Sequence, residues 1–107
     1  MKSKDTFKRD NLIVSIIREH VGAENPIGGE ELAKMLNDRG FPTKHNTIHS
    51  IISKLIKERY LPICSLGGRG YYFPKDKEDI EKAIEHLQAR ADELLVRVEF
   101  LKRFILK

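Results

Sequence analysis

The chain has 107 residues, enough for one domain with a modest core. Apolar residues make up 40% and charged residues 34%, a composition typical of globular rather than disordered proteins. The one cysteine, Cys64, excludes an intramolecular disulfide, no apolar run is long enough to cross a membrane, and the N-terminus lacks the apolar stretch of a signal peptide. We therefore expect a cytoplasmic protein without a membrane partner.

The net charge of +4 is concentrated in one stretch. Residues 43–75 contain six basic residues and one acidic residue, a net charge of +5. The segments 1–25, 26–42 and 76–107 are each within one charge of neutral. A localised basic surface is typical of proteins that bind a phosphate backbone. A solvated, lysine-rich surface is the alternative explanation.

Apolar periodicity predicts two helices before this stretch. The first runs from Thr6 to about Val21, and the second runs from Gly28 or Gly29 to about Arg39. Gly22 and the pair Gly40 and Pro42 end them. Between them, Ile27 could form a strand of one or two residues.

A third helix is predicted with Thr43 as its N-cap and Arg59 as its last residue. Its inward face is aliphatic, and its other surface is polar and basic. The predicted inward residues are Ile48, Ile51, Ile52 and Leu55.

A β-hairpin follows the third helix. Leu61–Ser65 is predicted as a strand and Tyr71–Phe73 as the return strand, which Pro74 ends. The turn between them, Leu66–Gly70, has three glycines in five residues, which permit positive φ angles.

A long helix from Lys77 to about Leu106, capped by Asp76, completes the chain. Its apolar residues alternate at spacings of four and three, which is the heptad seam of a coiled coil. We therefore expect two units, a domain at residues 1–75 and a dimerisation helix at residues 76–107. The predicted dimerisation residues are Ile80, Ile84, Leu87, Ala91, Leu94, Val98, Leu101 and Ile105.

The region from residue 6 to residue 74 resembles the winged helix-turn-helix superfamily of DNA-binding transcription regulators. The resemblance lies in the turn Gly40-Phe41-Pro42, the spacing of Thr47-Ile48 before Ile51-Ile52, Leu55 near the helix end, and Gly67-Gly68-Arg69-Gly70 in the hairpin. The glycine usual just after the third helix is absent, since Arg59-Tyr60 stands there. The resemblance implies a mostly α fold with a small β-hairpin, a recognition helix and a wing.

An exposed helix fits the major groove, and the third helix carries suitable side chains. Asn46 can pair bidentately with adenine, lysines suit phosphate or guanine, and Arg69 at the hairpin tip suits the minor groove or phosphate. We therefore predict sequence-specific binding to double-stranded DNA and association with the nucleoid. The predicted DNA-binding residues are Thr43, Lys44, His45, Asn46, His49, Ser50, Ser53, Lys54, Lys57 and Arg69.

Other functions have weaker support in the sequence. His45 and His49 have the spacing of metal ligands, but no acid or cysteine lies nearby in sequence, so we expect no metal or other cofactor. No catalytic motif is present, so we expect no enzyme, and no extra domain suggests a small-molecule effector. Two alternatives stay open, a winged-helix protein-interaction module and a replication or recombination accessory protein.

The long helix predicts an antiparallel homodimer centred between Ala91 and Asp92. In that pairing, Glu81 faces Lys102 of the second copy, and the two opposite charges attract. A parallel pairing sets Asp76 against Glu81 and Arg97 against Lys102, and both of these pairs repel. Val and Ile at a positions with Leu at d suit a parallel dimer, so packing at the seam favours the parallel orientation instead.

Overall fold

The computed structural model describes residues 2–105, in which four helices and one hairpin follow each other along the chain. They are α1 (Lys2–Arg18), α2 (Gly29–Asp38), α3 (Ile48–Arg59), β1 (Cys64–Ser65), β2 (Tyr71–Tyr72) and α4 (Lys77–Ile105). The strands β1 and β2 are antiparallel, with Cys64 opposite Tyr72 and Ser65 opposite Tyr71. The predicted combination of a mostly helical chain, a small hairpin and a long last helix is confirmed.

The core lies among the first three helices, because each presents an aliphatic stripe of helical period to the others. Ile13 and Ile17 of α1 are fully buried, as are Leu32 and Leu36 of α2. From α3, the predicted inward residues Ile48, Ile52 and Leu55 are each only 1% exposed, and Ile51 packs against the same cluster.

The first helix ends earlier than predicted. It stops at Arg18, and Val21, which we predicted as its approximate end, is 46% exposed. The backbone explains the difference, because residues 20–22 pair with the strand that leads out of the hairpin. The N–H of Phe73 donates to His20 O at 2.9 Å, and the N–H of Gly22 donates to Phe73 O at 2.8 Å.

The predicted short strand at Ile27 is confirmed as an antiparallel bridge to Tyr71. The two residues exchange both backbone hydrogen bonds, at 2.9 and 2.8 Å. Since β2 also pairs with β1, it lies between β1 and Ile27. This pairing ties the hairpin to the segment that leads into α2.

Thr43 is not the N-cap that we predicted for the third helix. The chain first makes a 3-10 turn at His45–Thr47, and α3 begins only at Ile48. The Thr43 hydroxyl donates to Phe41 O at 2.8 Å, within the preceding turn. The hydroxyl that bonds at the helix entrance is that of Thr47, which donates to Lys44 O at 2.8 Å.

Tyr60 ends α3 in a backbone conformation that favours glycine. Its φ of 53° and ψ of 47° lie in the left-handed region, and its N–H donates to Ile56 O. Its side chain is 93% exposed. The helix therefore ends in the geometry that a glycine would normally provide, on a residue for which it is unfavourable.

The hairpin tip is a 3-10 turn at Gly67–Arg69, and φ is positive at its first residue and at the residue that follows it. These are Gly67 at 66° and Gly70 at 120°. The predicted strands of three to five residues are shorter in the structure, with two residues each.

The last helix begins as predicted, since the Asp76 carboxylate accepts the N–H of Asp79 at 3.0 Å. Asp79 and Ala83 are its only buried residues among those described, and Ala83 packs with Cys64 and Tyr72 on the hairpin face turned away from the main core. Every described residue from 91 onward is exposed. The helix therefore has a docked half, residues 77–90, and a freestanding half, residues 91–105. The predicted end at Leu106 lies outside the described residues.

Candidate nucleic-acid interface

The predicted site residues lie on or next to the outer surface of α3 and at the hairpin tip. Thr43 and Ser53 are partly buried, and the rest are exposed. Because Ile48, Ile52 and Leu55 fix the inward side, residues half a turn away must face solvent. The exposed set is Lys44, His45, Asn46, His49, Ser50, Lys54, Lys57 and Arg69.

The connection between α2 and α3 is held by a side chain that the sequence analysis did not single out. Asn37 donates to Ala33 O at 2.7 Å and to Thr43 O at 3.0 Å, and its Oδ1 accepts the N–H of Thr43 at 3.3 Å. The amide thus bridges the end of α2 to the start of the site. It fixes the direction in which the chain enters α3.

One hydroxyl of the outer surface already donates within the helix. The Ser50 Oγ donates to Thr47 O at 3.0 Å. A hydroxyl has one donor and two acceptor positions, so Ser50 is left to accept hydrogen bonds from a ligand. Adenine N6 and cytosine N4 amino groups are donors of that kind in the major groove.

The cations of this region divide into two groups. Arg59 donates to Asn11 Oδ1 at 2.7 Å and lies 5.4 Å above the Phe7 ring, so it joins α3 to α1. Lys75 lies 3.2 Å from Glu24 and 3.6 Å from Asp79. Both therefore serve the fold.

The remaining four cations are free of acids. Within residues 5–105, whose side chains are described, no carboxylate lies within 4.0 Å of Lys44, Lys54, Lys57 or Arg69. An unpaired cation on an exposed surface can neutralise a phosphate without first breaking an ion pair. The charge available at the site is thus about four positive groups rather than all six basic residues of the stretch 43–75.

A groove runs between α3 and the hairpin. One part, of about 240 Å³, lies between His45, Asn46 and the glycines of the tip. The other part, of about 420 Å³, continues past His49 and Tyr71 to α4. The Tyr71 hydroxyl lies 3.4 Å from His49 Nδ1, so these two side chains connect the hairpin with the helix across the groove.

The last helix supplies two residues to this groove that the sequence analysis missed. His86 and Arg90 line its second part, opposite His49. The His86 ring lies so close to Gly67 that a Cβ there would be 3.4 Å from it. Their basic character was visible in the sequence, but their position depends on how α4 docks on the hairpin, which no local pattern encodes.

Metal ligation has no support in this part of the chain. Among the described residues, no three His, Cys, Asp or Glu side chains are placed to hold an ion, so His45 and His49 lack further ligands. Cys64 is free and buried, and burial raises the pKa of its thiol. It packs with Tyr72 and Ala83 as a small apolar residue.

Within residues 2–105, no helix combines the length and the apolar character that crossing a bilayer requires. Comparison with family models, with curated proteins and with solved structures gives no match to this chain.

Proposed function

We propose that the chain is a homodimeric protein that binds double-stranded DNA through a winged helix-turn-helix domain, as a small transcriptional regulator. In this proposal α2 and α3 are the helix-turn-helix, α3 enters the major groove, and the hairpin is the wing. The observation that carries it is the set of four cations, Lys44, Lys54, Lys57 and Arg69, that have no carboxylate within 4.0 Å among residues 5–105 and surround one helix face and one glycine-rich tip. Such a surface matches two neighbouring phosphate strands.

The arrangement of polar groups supports separate roles at the interface, with some residues contacting bases and others contacting phosphates. Asn46 lies in the 3-10 turn just before α3, where recognition helices contact base edges. The lysines of α3 and Arg69 suit phosphates, which position a protein on DNA without reading its sequence. His86 and Arg90 extend the proposed phosphate-binding surface onto α4.

The exposed apolar surface of α4 supports a homodimer. Leu87 is 63% exposed, Leu94 47%, Val98 46% and Leu101 61%, and every other residue of the predicted seam is exposed as well. Burying this surface against a second copy releases free energy at about 25 cal/mol per Å² before the cost of association. A self-complementary helix needs no other partner.

The docked and freestanding halves of α4 favour the antiparallel orientation. When two helices pair in the antiparallel register that sets Glu81 beside Lys102, the freestanding half of each copy lies along the docked half of the other. In a parallel dimer the freestanding halves could cover only each other, away from both domains. The antiparallel pairing therefore places more apolar surface next to folded protein.

The charges at the helix edges agree with this orientation. Glu81 and Lys102 of the second copy attract each other twice by symmetry, while Arg90 falls opposite Arg97 of the second copy and repels it. Exposed pairs are worth about 0.2–1 kcal/mol each, so these contributions nearly offset each other. The parallel pairing has only repulsive edges, at residues 76 and 81 and at residues 97 and 102.

Selection of bound duplexes from a random pool tests the DNA proposal. A dimer of winged units should enrich a pseudo-palindrome whose half-sites are separated by a spacing that suits two docked helices. Enrichment of no sequence, together with salt-insensitive retention, would favour the protein-interaction alternative. That alternative is supported by the same exposed surface of α4.

Cysteine cross-linking tests the orientation of the dimer. The Glu81 and Lys102 side chains are 57% and 58% exposed, so both positions can take a cysteine. In a Cys64→Ser background, mixed Glu81→Cys and Lys102→Cys chains should cross-link between positions 81 and 102 on oxidation. Efficient linking between two chains at position 81, and none between 81 and 102, would mean parallel helices.

A further inference from the structure

An apolar groove that borders the proposed DNA surface lies between α3, β1 and the docked half of α4. It has a volume of about 240 Å³. Ile52, Ile56 and Ile63 form one side, and Ala83 and Leu87 form the other. Only a rim that includes His49, Ser53 and Lys57 is polar. An open aliphatic groove of this kind gains free energy when an apolar side chain covers it.

The freestanding half of α4 carries an aromatic pair that is largely exposed to solvent. Phe100 and Phe104 form an edge-to-face pair with ring centroids 5.4 Å apart. They remain 55% and 65% exposed. Neither belongs to the heptad seam, so pairing of the seams alone leaves both rings largely in water.

The antiparallel register brings the pair and the groove together. With Ile80 at heptad position d, Ala83 and Phe104 both occupy g, and the g edges of two antiparallel helices lie side by side. When the seams pair Ala91 with Leu94 of the second copy, the e edges set Glu81 beside Lys102 and the g edges set Ala83 beside Phe104. Phe100 of that copy, one turn earlier and at heptad position c, lies next to this edge, near the level of Leu87.

Size complementarity supports the same placement. Ala83 is the smallest residue of the docked half that contacts the hairpin, and it leaves the groove open beside Cys64. A large ring opposite a small residue fills the available space, whereas two large residues at these positions would overlap. The groove is also continuous with the seam, because Leu87 belongs to both.

We propose that Phe100 and Phe104 of one copy dock into the groove formed by α3, β1 and α4 of the other copy. The dimer would then bury two aromatic anchors per copy beyond the seam, and each freestanding half would contact the partner's DNA-binding domain. The orientation of the two recognition helices would thus be fixed by protein contacts. This inference rests on the proposed antiparallel dimer.

Photo-cross-linking tests the placement directly. The full chain, with p-benzoylphenylalanine in place of Phe104, is mixed with isotope-labelled chain that lacks the probe, so that links between copies can be identified by mass. We expect links from position 104 to residues 52–63 or 83–87 of the labelled copy. The same probe in place of Val96, which is 68% exposed on the side away from the seam, should give few links.

Analytical ultracentrifugation measures how much the proposed contact contributes to the dimer dissociation constant. Phe104→Ala should raise the dimer dissociation constant at least about tenfold, since burying a Phe side chain is worth about 1.5–3 kcal/mol and a tenfold change is 1.4 kcal/mol. Val96→Ala removes a similarly exposed apolar side chain outside the contact and should change the constant less than about threefold.

The outcomes separate this inference from the function it rests on. Links between two copies at position 104, with a stable dimer and intact duplex binding, would overturn the docking and leave the DNA proposal in place. Links within the same copy would overturn it in the same way. A chain that stays monomeric at high concentration would overturn both the docking and the dimer.

Discussion

Gly70 lies directly against the main chain of Ile27. A Cβ at position 70 would overlap the Ile27 carbonyl, and it would come within 2.9 Å of the Gly28 nitrogen. The same residue has a φ of 120° and a ψ of −163°, a conformation almost restricted to glycine. The close approach exists because Ile27 pairs with Tyr71, the next residue along the hairpin.

Gly70→Ala should therefore lower the free energy of unfolding by at least about 2 kcal/mol, from backbone strain and loss of the pairing at Ile27. Urea denaturation measures the change. Gly68→Ala is the matched control, because a Cβ there meets nothing within 4 Å, and it should cost less than about 0.5 kcal/mol. Equal stability of the two variants would show that the hairpin does not pack as described.

Tyr60→Gly should stabilise the protein by about 0.5–1 kcal/mol. A residue with a side chain pays a penalty in the left-handed conformation that glycine avoids, and the greater freedom of glycine in the unfolded chain offsets part of the gain. The exposed Tyr60 side chain loses little packing. Tyr60→Ala keeps the penalty and should give no gain. If alanine and glycine raise the melting temperature equally, the left-handed helix end is not the cause.

Acid should remove a contribution to stability that depends on Asp79. The backbone N–H of Lys75 lowers the pKa of Asp79 from its ordinary value of 3.8 despite the burial of the carboxylate, and the Lys75 ammonium and the N–H of Ala23 act in the same direction. A lowered folded pKa stabilises the protein above the unfolded pKa, and this stabilisation is lost as pH falls through the folded value.

Asp79→Asn should consequently be less stable than the parent chain near pH 7, and the difference should shrink below about pH 4. Urea titrations at several pH values measure it. Glu78→Gln removes a neighbouring acid whose side chain is 73% exposed, and this variant should stay close to the parent chain in stability near pH 7. A difference between Asp79→Asn and the parent that stays constant down to pH 2 would contradict the assignment.

Asn46→Ala should relax base preference more than it weakens non-specific binding. Asn46 is exposed in the turn that leads into α3, and a bidentate contact to a base is worth about 1–3 kcal/mol of discrimination. Binding to the selected duplex and to scrambled duplexes, measured at one salt concentration, gives both quantities. A uniform loss on all duplexes would assign Asn46 a positional role.

Most elements of the fold could be predicted, because their signals are local. The aliphatic stripe that includes Ile48, Ile52 and Leu55 marks α3, and the glycines of the tip mark the turn of the hairpin. The predicted helix ends were less accurate where pairing with a distant segment determines them, as at Val21, whose segment forms hydrogen bonds with Phe73. Local propensity carries no information about that partner.

The site was harder to predict for the same reason. Arg59 and Lys75 contribute to the sequence's basic stretch, but each bonds to a residue 48 or 51 positions away and is committed to the fold. His86 and Arg90 reach the groove only because α4 turns back across the hairpin. Residue type therefore indicated which groups could bind phosphate, while long-range contacts determined which of them are free to do so.

The most direct measurement is the affinity of the full chain for a duplex as a function of salt. We predict that the logarithm of the association constant falls linearly with the logarithm of salt concentration, and that Lys54→Ala and Arg69→Ala each reduce the slope by about one. Lys82→Ala removes an equal charge on the outer side of α4, where Lys82 lies 4.0 Å from Glu78, and should leave the slope unchanged. Absence of duplex binding, or slopes that do not differ among these variants, would contradict the account.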